Sequence, residues 1–253
     1  MITTTNLEPD ALMIIDRLWE NGKVGYYWSK QQGSIWSRPC ELITELPNAF
    51  DWYFGIYTMS GIPTENSGGR PTAPKWVRGR NNLADTMNCL YAEFDNKDLP
   101  KTGVVDWYED HITKMNPHPS IVVHSGGGYH CYWLLTETFY ITDDNRKAVR
   151  DLIKAWVSWA GADNVKDIAR VLRIPFTYNG KYDPAPRVAL KYVDYSQEYF
   201  ISDLASLVRD LVETRPKPAH NLNIYRDGGE RDEMNKLKFN ALNSPHDVTL
   251  SAC

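Results

Sequence analysis

Leu90-Tyr91-Ala92-Glu93-Phe94-Asp95-Asn96 alternates apolar side chains with a tyrosine and two acids, and the rest of the chain arranges itself about that pattern. Successive side chains of a strand point to opposite faces. Leu90, Ala92 and Phe94 are therefore predicted to enter a core, while Tyr91, Glu93 and Asp95 share the other face. Two carboxylates two residues apart on a strand stand roughly 6–7 Å apart at the backbone. From there they can converge on one divalent cation, or on two cations about 4 Å apart as in phosphoryl-transfer sites. An ordinary solvent-facing strand shows the same alternation, so the pair needs support from elsewhere in the chain.

A chain of 253 residues accommodates one large domain or two small ones and buries a substantial core. Its formal net charge of −4 advertises no global basic field, so a nucleic acid would have to be held by a local basic patch. Cys40, Cys89, Cys131 and Cys253 are scattered, with no Cys-x-x-Cys pair. That spacing argues against a disulfide framework or a cysteine zinc site and fits a reducing cytosol. No apolar run approaches the ~20 residues that span a bilayer. The N-terminus also lacks the charged and apolar regions of a signal peptide. The expectation is a cytoplasmic protein without membrane contact.

Apolar spacing predicts a helix over 8–21, a strand over 24–28 and, after a turn at Gly33, a hairpin partner over 34–38. The aromatic run 52–58 reads as a central strand. A long loop, 61–80, carries Arg70, Lys75, Arg78 and Arg80; loops of that length are usually functional or disordered. Beyond the acidic strand the pattern predicts a helix over 103–115 and strands over 120–124 and 129–135, joined tightly through Gly126-Gly127-Gly128. A helix over 142–160 has Thr142 as its candidate cap. A short helix over 165–172 is stopped by Pro175. A strand over 187–193 and an amphipathic helix over 202–213 complete the ordered part. From Arg215-Pro216-Lys217-Pro218 the composition turns polar. Residues 1–214 are thus expected to form the domain and 215–253 a largely disordered tail. Strands and helices intermix, so the fold class is α+β, or mixed α/β.

Two further stretches bear on chemistry. Ser125-Gly126-Gly127-Gly128-Tyr129-His130 places glycines at a strand end, where backbone amides can converge on an anion such as phosphate. It matches neither a Walker A loop nor a Rossmann fingerprint, and it equally suits a hairpin with a satisfied edge histidine. The second runs from Asp163 through Asp167, Arg170 and Arg173 to Thr177, Asn179 and Lys181. On a helix Asp163, Asp167 and Arg170 share a face. They then either cap and brace that helix, or supply a third metal carboxylate with Arg170, Arg173 and Lys181 on phosphates.

An acid-x-acid strand, then Ser-Gly-x-Gly-x-His, then Asp-x-x-x-Asp-x-x-Arg-x-x-Arg-x-Pro-x-Thr-x-Asn-x-Lys, in that order, resembles the archaeo-eukaryotic primase superfamily. The resemblance is to its primase-polymerase branch of phages, plasmids and mobile elements, and it covers about residues 50–195. It implies a two-layer catalytic core, a small αβ unit beside an RRM-like unit, with the active site between them. It further implies that Glu93, Asp95 and Asp163 (or Asp167 in its place) hold Mg²⁺ or Mn²⁺. His130 and Ser125 would contact nucleotide phosphates, with Gly127, Arg170, Arg173, Asn179 and Lys181 completing nucleotide binding. Departures are Glu93 where many members carry Asp, and Phe176 where a glycine is usual. No cysteine–histidine cluster resembles the zinc stem of some members, so no structural zinc is expected. No helicase motif follows, so the chain either works with a separate helicase or is a piece of a longer protein.

The implied activity is that of a DNA primase or DNA polymerase. It is nucleotidyl transfer by two-metal catalysis on a single-stranded DNA template, with NTPs or dNTPs as substrates, in replication of a mobile element or phage. Arg70, Lys75, Arg78 and Arg80 are the loop candidates for DNA binding. The rival readings are a catalytically silent replication-initiation or single-strand-binding module, and a metal-dependent nuclease using the same acids.

Overall fold

The structure, a computed structural model, describes residues 4–66, 68–95, 107–163 and 167–214. Its first half comprises β1 (Thr5–Asn6), α1 (Pro9–Trp19), β2 (Gly25–Ser29), β3 (Gly33–Ser37), β4 (Glu45–Leu46), β5 (Tyr53–Gly55) and β6 (Thr86–Asp95). Then follow α2 (Trp107–Asp110), β7 (Ile121–His124), β8 (Gly128–Tyr140) and α3 (Arg146–Ala160). The last are β9 (Val171–Arg173), β10 (Ala189–Val193), β11 (Glu198–Tyr199) and α4 (Ile201–Thr214).

β8 runs antiparallel along β6, from Thr86 opposite Tyr140 to Asp95 opposite Gly128. β7 and β11 take the other edge of β8, and β10 lies beyond β7, making a five-stranded sheet. A second sheet of four antiparallel strands has the order β3-β2-β5-β9. The register puts Trp133 opposite Leu90, and Trp133 meets Trp156 of α3 edge-on at 5.0 Å. Helix α3 therefore covers the Leu90, Ala92 and Phe94 face, as the alternation predicts.

The opposite face of β6 is not open to solvent. Tyr91 is buried, its ring 6.0 Å from Tyr57, and its hydroxyl donates to the Asp167 carbonyl at 3.0 Å. Helix α1 bridges the sheets: Trp19 donates to the Gly55 carbonyl at 2.7 Å, while Asn88 of β6 donates to the carbonyls of Leu18 and Glu20. Pro9 opens this helix with a preset φ, and Ala11, Ile14, Ile15, Leu18 and Trp19 form its buried stripe.

Several expectations are corrected. Residues 167–170 form a turn and Val171–Arg173 is strand β9, not the end of a helix over 165–172; residues 164–166 lie outside the described residues. The reason is tertiary: β5 is an interior strand, and Leu172 satisfies its free edge opposite Phe54. The strand expected over 52–58 stops at Gly55, after which Ile56 donates to the Arg170 carbonyl. Helix α3 starts at Arg146 behind Asn145, and Thr142 instead begins the preceding turn, exchanging bonds with Asn145. Of the helix expected over 103–115, the described part is α2 and a short turn at Ile112–Lys114. The tail 215–253 lies outside the described residues.

Candidate active site between the two sheets

Register sets Glu93 of β6 directly opposite His130 of β8, with Glu93 Oε1 4.0 Å from His130 Nε2. The other Glu93 oxygen accepts from the Arg170 guanidinium, at the end of the turn that leads into β9. Two elements of one sheet and one of the other thus meet at Glu93. Burial, reinforced by Arg170, Arg173 and His124, pushes the His130 pKa down to about 3, so the ring is neutral near pH 7. Its Nδ1 is buried with no hydrogen-bond partner, as is Arg170 Nε. Buried polar atoms are normally satisfied, so two orphans beside one carboxylate mark a place for a polar guest. Burial works against the Arg170 cation, but Glu93 outweighs it and raises its pKa.

Asp95 shares the Glu93 face, opposite Gly128. Both candidates for the third carboxylate lie against β6. The Asp163 N–H donates to the Glu93 carbonyl at 2.9 Å. Asp167 is tied through its carbonyl to Tyr91, and its Oδ1 accepts the Ala169 N–H at 3.2 Å. Among the described residues no three His, Cys, Asp or Glu side chains already stand as a cation cage. The donor set nevertheless suits a hard cation: carboxylate oxygens on one strand face, with Asp163 bonded at its margin.

The glycine stretch is a tight hairpin. Gly126 has φ 84°, and the Ser125 N–H and Oγ both donate to the Gly128 carbonyl, at 2.8 and 3.1 Å. Asn179 is 3% exposed; its Nδ2 donates to the Ser125 carbonyl at 2.9 Å. Ser125 and Asn179 therefore spend these polar groups on the hairpin's shape. Gly127 faces Tyr182, whose hydroxyl would lie 2.4 Å from an added Cβ. Lys181 is exposed, with Nζ 5.6 Å from the Tyr182 ring.

Arg173 of β9 bonds Asp51 at 2.7 Å and lies 4.7 Å over the Tyr53 ring. Asp51 also accepts the Gly180 N–H on the same oxygen, at 3.1 Å, from a backbone with φ 54°. Sequence reasoning missed Asp51, and no local signal marks it. Of the loop cations, Arg78 lies 4.9 Å over Trp28 of β2 and Lys75 5.3 Å over Trp76. Arg80 donates to the Glu65 carbonyl within its own loop, and Arg70 is exposed.

No family model matches the sequence, and no curated protein matches it. The fold, however, is similar to that of the AEP domain of the primase-polymerase (PrimPol) of cyanophage S-2L. The TM-score is 0.50 at 12% identity, over 81% of this chain and 100% of that one. The chain has the archaeo-eukaryotic primase fold. A second solved structure, of primase RepB', aligns at TM-score 0.43 and 13% identity, over 80% of this chain and 63% of that one. Glu93, His130 and Arg170 stand where the two sheets meet.

Proposed function

We propose that the chain is a template-dependent nucleotidyltransferase, a DNA primase or primase-polymerase, with residues 1–214 as its catalytic domain. The observation that carries this reading is the meeting of Glu93, neutral His130 and Arg170 between the sheets of a primase-type fold, with Asp95 on the same strand face. Glu93 and Asp95, with Asp163 from the adjoining segment, would hold Mg²⁺ or Mn²⁺, with Asp167 in reserve. When bound, such cations activate a 3′-hydroxyl and steady the leaving pyrophosphate.

The chain's own residues do the rest. Arg170 and Arg173 offer planar forks to triphosphate oxygens, and Lys181 adds a mobile positive charge. His130, through Nδ1, and the Gly127 backbone would contact the nucleoside triphosphate, while Ser125 and Asn179 hold the hairpin that carries Gly127. Template single-stranded DNA approaches from the cationic loop, and a separate helicase would supply it.

The test is a gel assay on single-stranded template with labelled nucleotides and Mg²⁺ or Mn²⁺, with and without primer, against a Glu93→Ala/Asp95→Ala control. Products that vanish in the control support the reading, and their dependence on a primer separates priming from extension. A folded protein that incorporates nothing leaves the silent DNA-binding module ahead; degradation of labelled DNA without nucleotides indicates the nuclease.

A further inference from the structure

One face of the four-stranded sheet is buried and the other is half-open. Tyr27, Phe54 and Leu172 point to the buried side, where Trp19 of α1 meets Tyr27 at 5.1 Å. The pairing of Trp28 with Tyr53, and of Tyr53 with Arg173, sets these three side chains in a row across β2, β5 and β9 on the other side. Their rings and cations interleave. Arg78 lies 4.9 Å over Trp28, Trp28 is 5.5 Å from Tyr53, and Arg173 lies 4.7 Å over Tyr53. Trp28 and Tyr53 are partly buried.

The row ends at the candidate active site. Arg170, three residues before Arg173, bonds the Glu93 carboxylate, and Arg173 stands opposite Tyr53 in the sheet. At the far end the 74–77 turn packs along the β2–β3 hairpin. Ser34 donates to the Val77 carbonyl at 2.6 Å, Trp36 donates to the Pro74 carbonyl at 3.0 Å, and Trp76 is 58% exposed beneath Lys75. On a chain of net charge −4 this is a local stripe of cations, each laid on an aromatic ring, with Asp51 as the acid paired into it.

We infer that this face is a track for single-stranded DNA, in which Trp28 and Tyr53 stack bases and Arg78 holds the backbone, leading the strand toward Arg173 and Glu93. A single strand is the occupant because only unpaired bases present free faces to rings, and phosphates complement the guanidinium row. The inference deepens the proposed function and rests on it for the strand's destination; the binding itself needs no catalysis.

The experiment is fluorescence anisotropy of labelled oligodeoxythymidine with the full chain in EDTA, so that synthesis plays no part. Trp28→Ala is expected to weaken binding on the order of tenfold, and Trp28→Phe to restore most of it. Arg78→Ala, at an exposed position, is expected to lower the salt-dependence slope by about 0.7. Trp28-dependent binding by the parent chain in EDTA would spare the track even where the synthesis assay fails. Undiminished binding by folded Trp28→Ala and Arg78→Ala variants overturns the inference, as does equal affinity for duplex DNA or a marked preference for oligouridine.

Discussion

Arg170 closes on the carboxylate of Glu93 across the junction of the two sheets, so that carboxylate carries its own counter-ion. A divalent cation seeking Glu93 meets a guanidinium already in place. Arg170→Gln is therefore expected to tighten Mn²⁺ binding by about tenfold, since a fixed like charge near the ligand is removed. Nucleotide incorporation should fall in the same variant, because the fork for phosphate is lost. The pair is partly exposed, 33% and 18% at the two side chains, so the stability loss should stay near 1–2 kcal/mol. Titration of Mn²⁺ by electron paramagnetic resonance checks the first point; unchanged affinity would remove Glu93 from the ligand set.

Gly128 holds the site's second strand against its first. A Cβ there would lie 1.8 Å from the Phe94 carbonyl oxygen, and a backbone atom in a paired strand cannot swing aside. Gly128→Ala should cost at least about 3 kcal/mol, at the upper end of overpacking effects, and should loosen the pairing at Asp95. Gly61→Ala, with nothing within 4 Å of the added atom, is the matched control and should leave the melting temperature nearly unchanged.

The acidic strand was legible because period-two alternation fixes faces regardless of partner: once β6 is a strand, Glu93 and Asp95 must share a side. The β7–β8 hairpin was legible through its glycines, and α1, α3 and α4 through their apolar stripes. Segment 167–173 was not. Its mix of apolar and charged residues fits either period, and the decision belongs to Phe54, which pairs with Leu172 from far away in the chain. Asp51 was invisible for the same reason, since its importance comes from Arg173 and Gly180, over 120 residues downstream. The alternation also could not reveal that the acid-bearing face would be covered, because Tyr57 and Asp167 arrive from other elements.

Asp51 separates a backbone effect from a charge effect. Its φ of 54° is left-handed, a conformation Asn and Gly tolerate and Ala does not. Asp51→Asn should lose no more than about 1 kcal/mol with the ion pair to Arg173, which is partly screened. Asp51→Ala should lose roughly 1 kcal/mol more, and Asp51→Gly should recover most of that increment. Urea denaturation of the three variants orders them; Ala as stable as Gly would show the strain to be absent.

The cysteines among the described residues divide by burial. Cys89 and Cys131 are fully buried and their thiol pKa values are pushed up by it, while Cys40 is exposed. Reaction needs an accessible thiolate. Brief alkylation of the native protein should label Cys40 and spare Cys89 and Cys131, both of which should react after unfolding. Peptide mass mapping reads the pattern, and native labelling of Cys131 would contradict the β6–β8 packing beside His130.

Asn88 ties the acidic strand to the helix that bridges the sheets. Its side chain is wholly buried, and Nδ2 donates to the carbonyls of Leu18 and Glu20 at 3.1 and 2.8 Å. Those carbonyls belong to the end of α1, where acceptors have no partner within the helix. Asn88→Ala strips both of their donor, which should cost about 1–3 kcal/mol. Part of that is returned, because Asn88 Oδ1 is itself buried without a partner and disappears with the side chain. Asn88→Asp should be worse, since it sets a buried acid against two carbonyl oxygens and must take up a proton to fold. In urea both variants should move the midpoint at constant slope, Asp further than Ala at neutral pH, with the gap narrowing as pH falls. The sign follows from burial raising the carboxyl's folded pKa: protons favour the folded state, so acid restores stability to Asn88→Asp. A gap that held constant with pH would mean the carboxyl reaches water, and that α1 does not seal this end of β6.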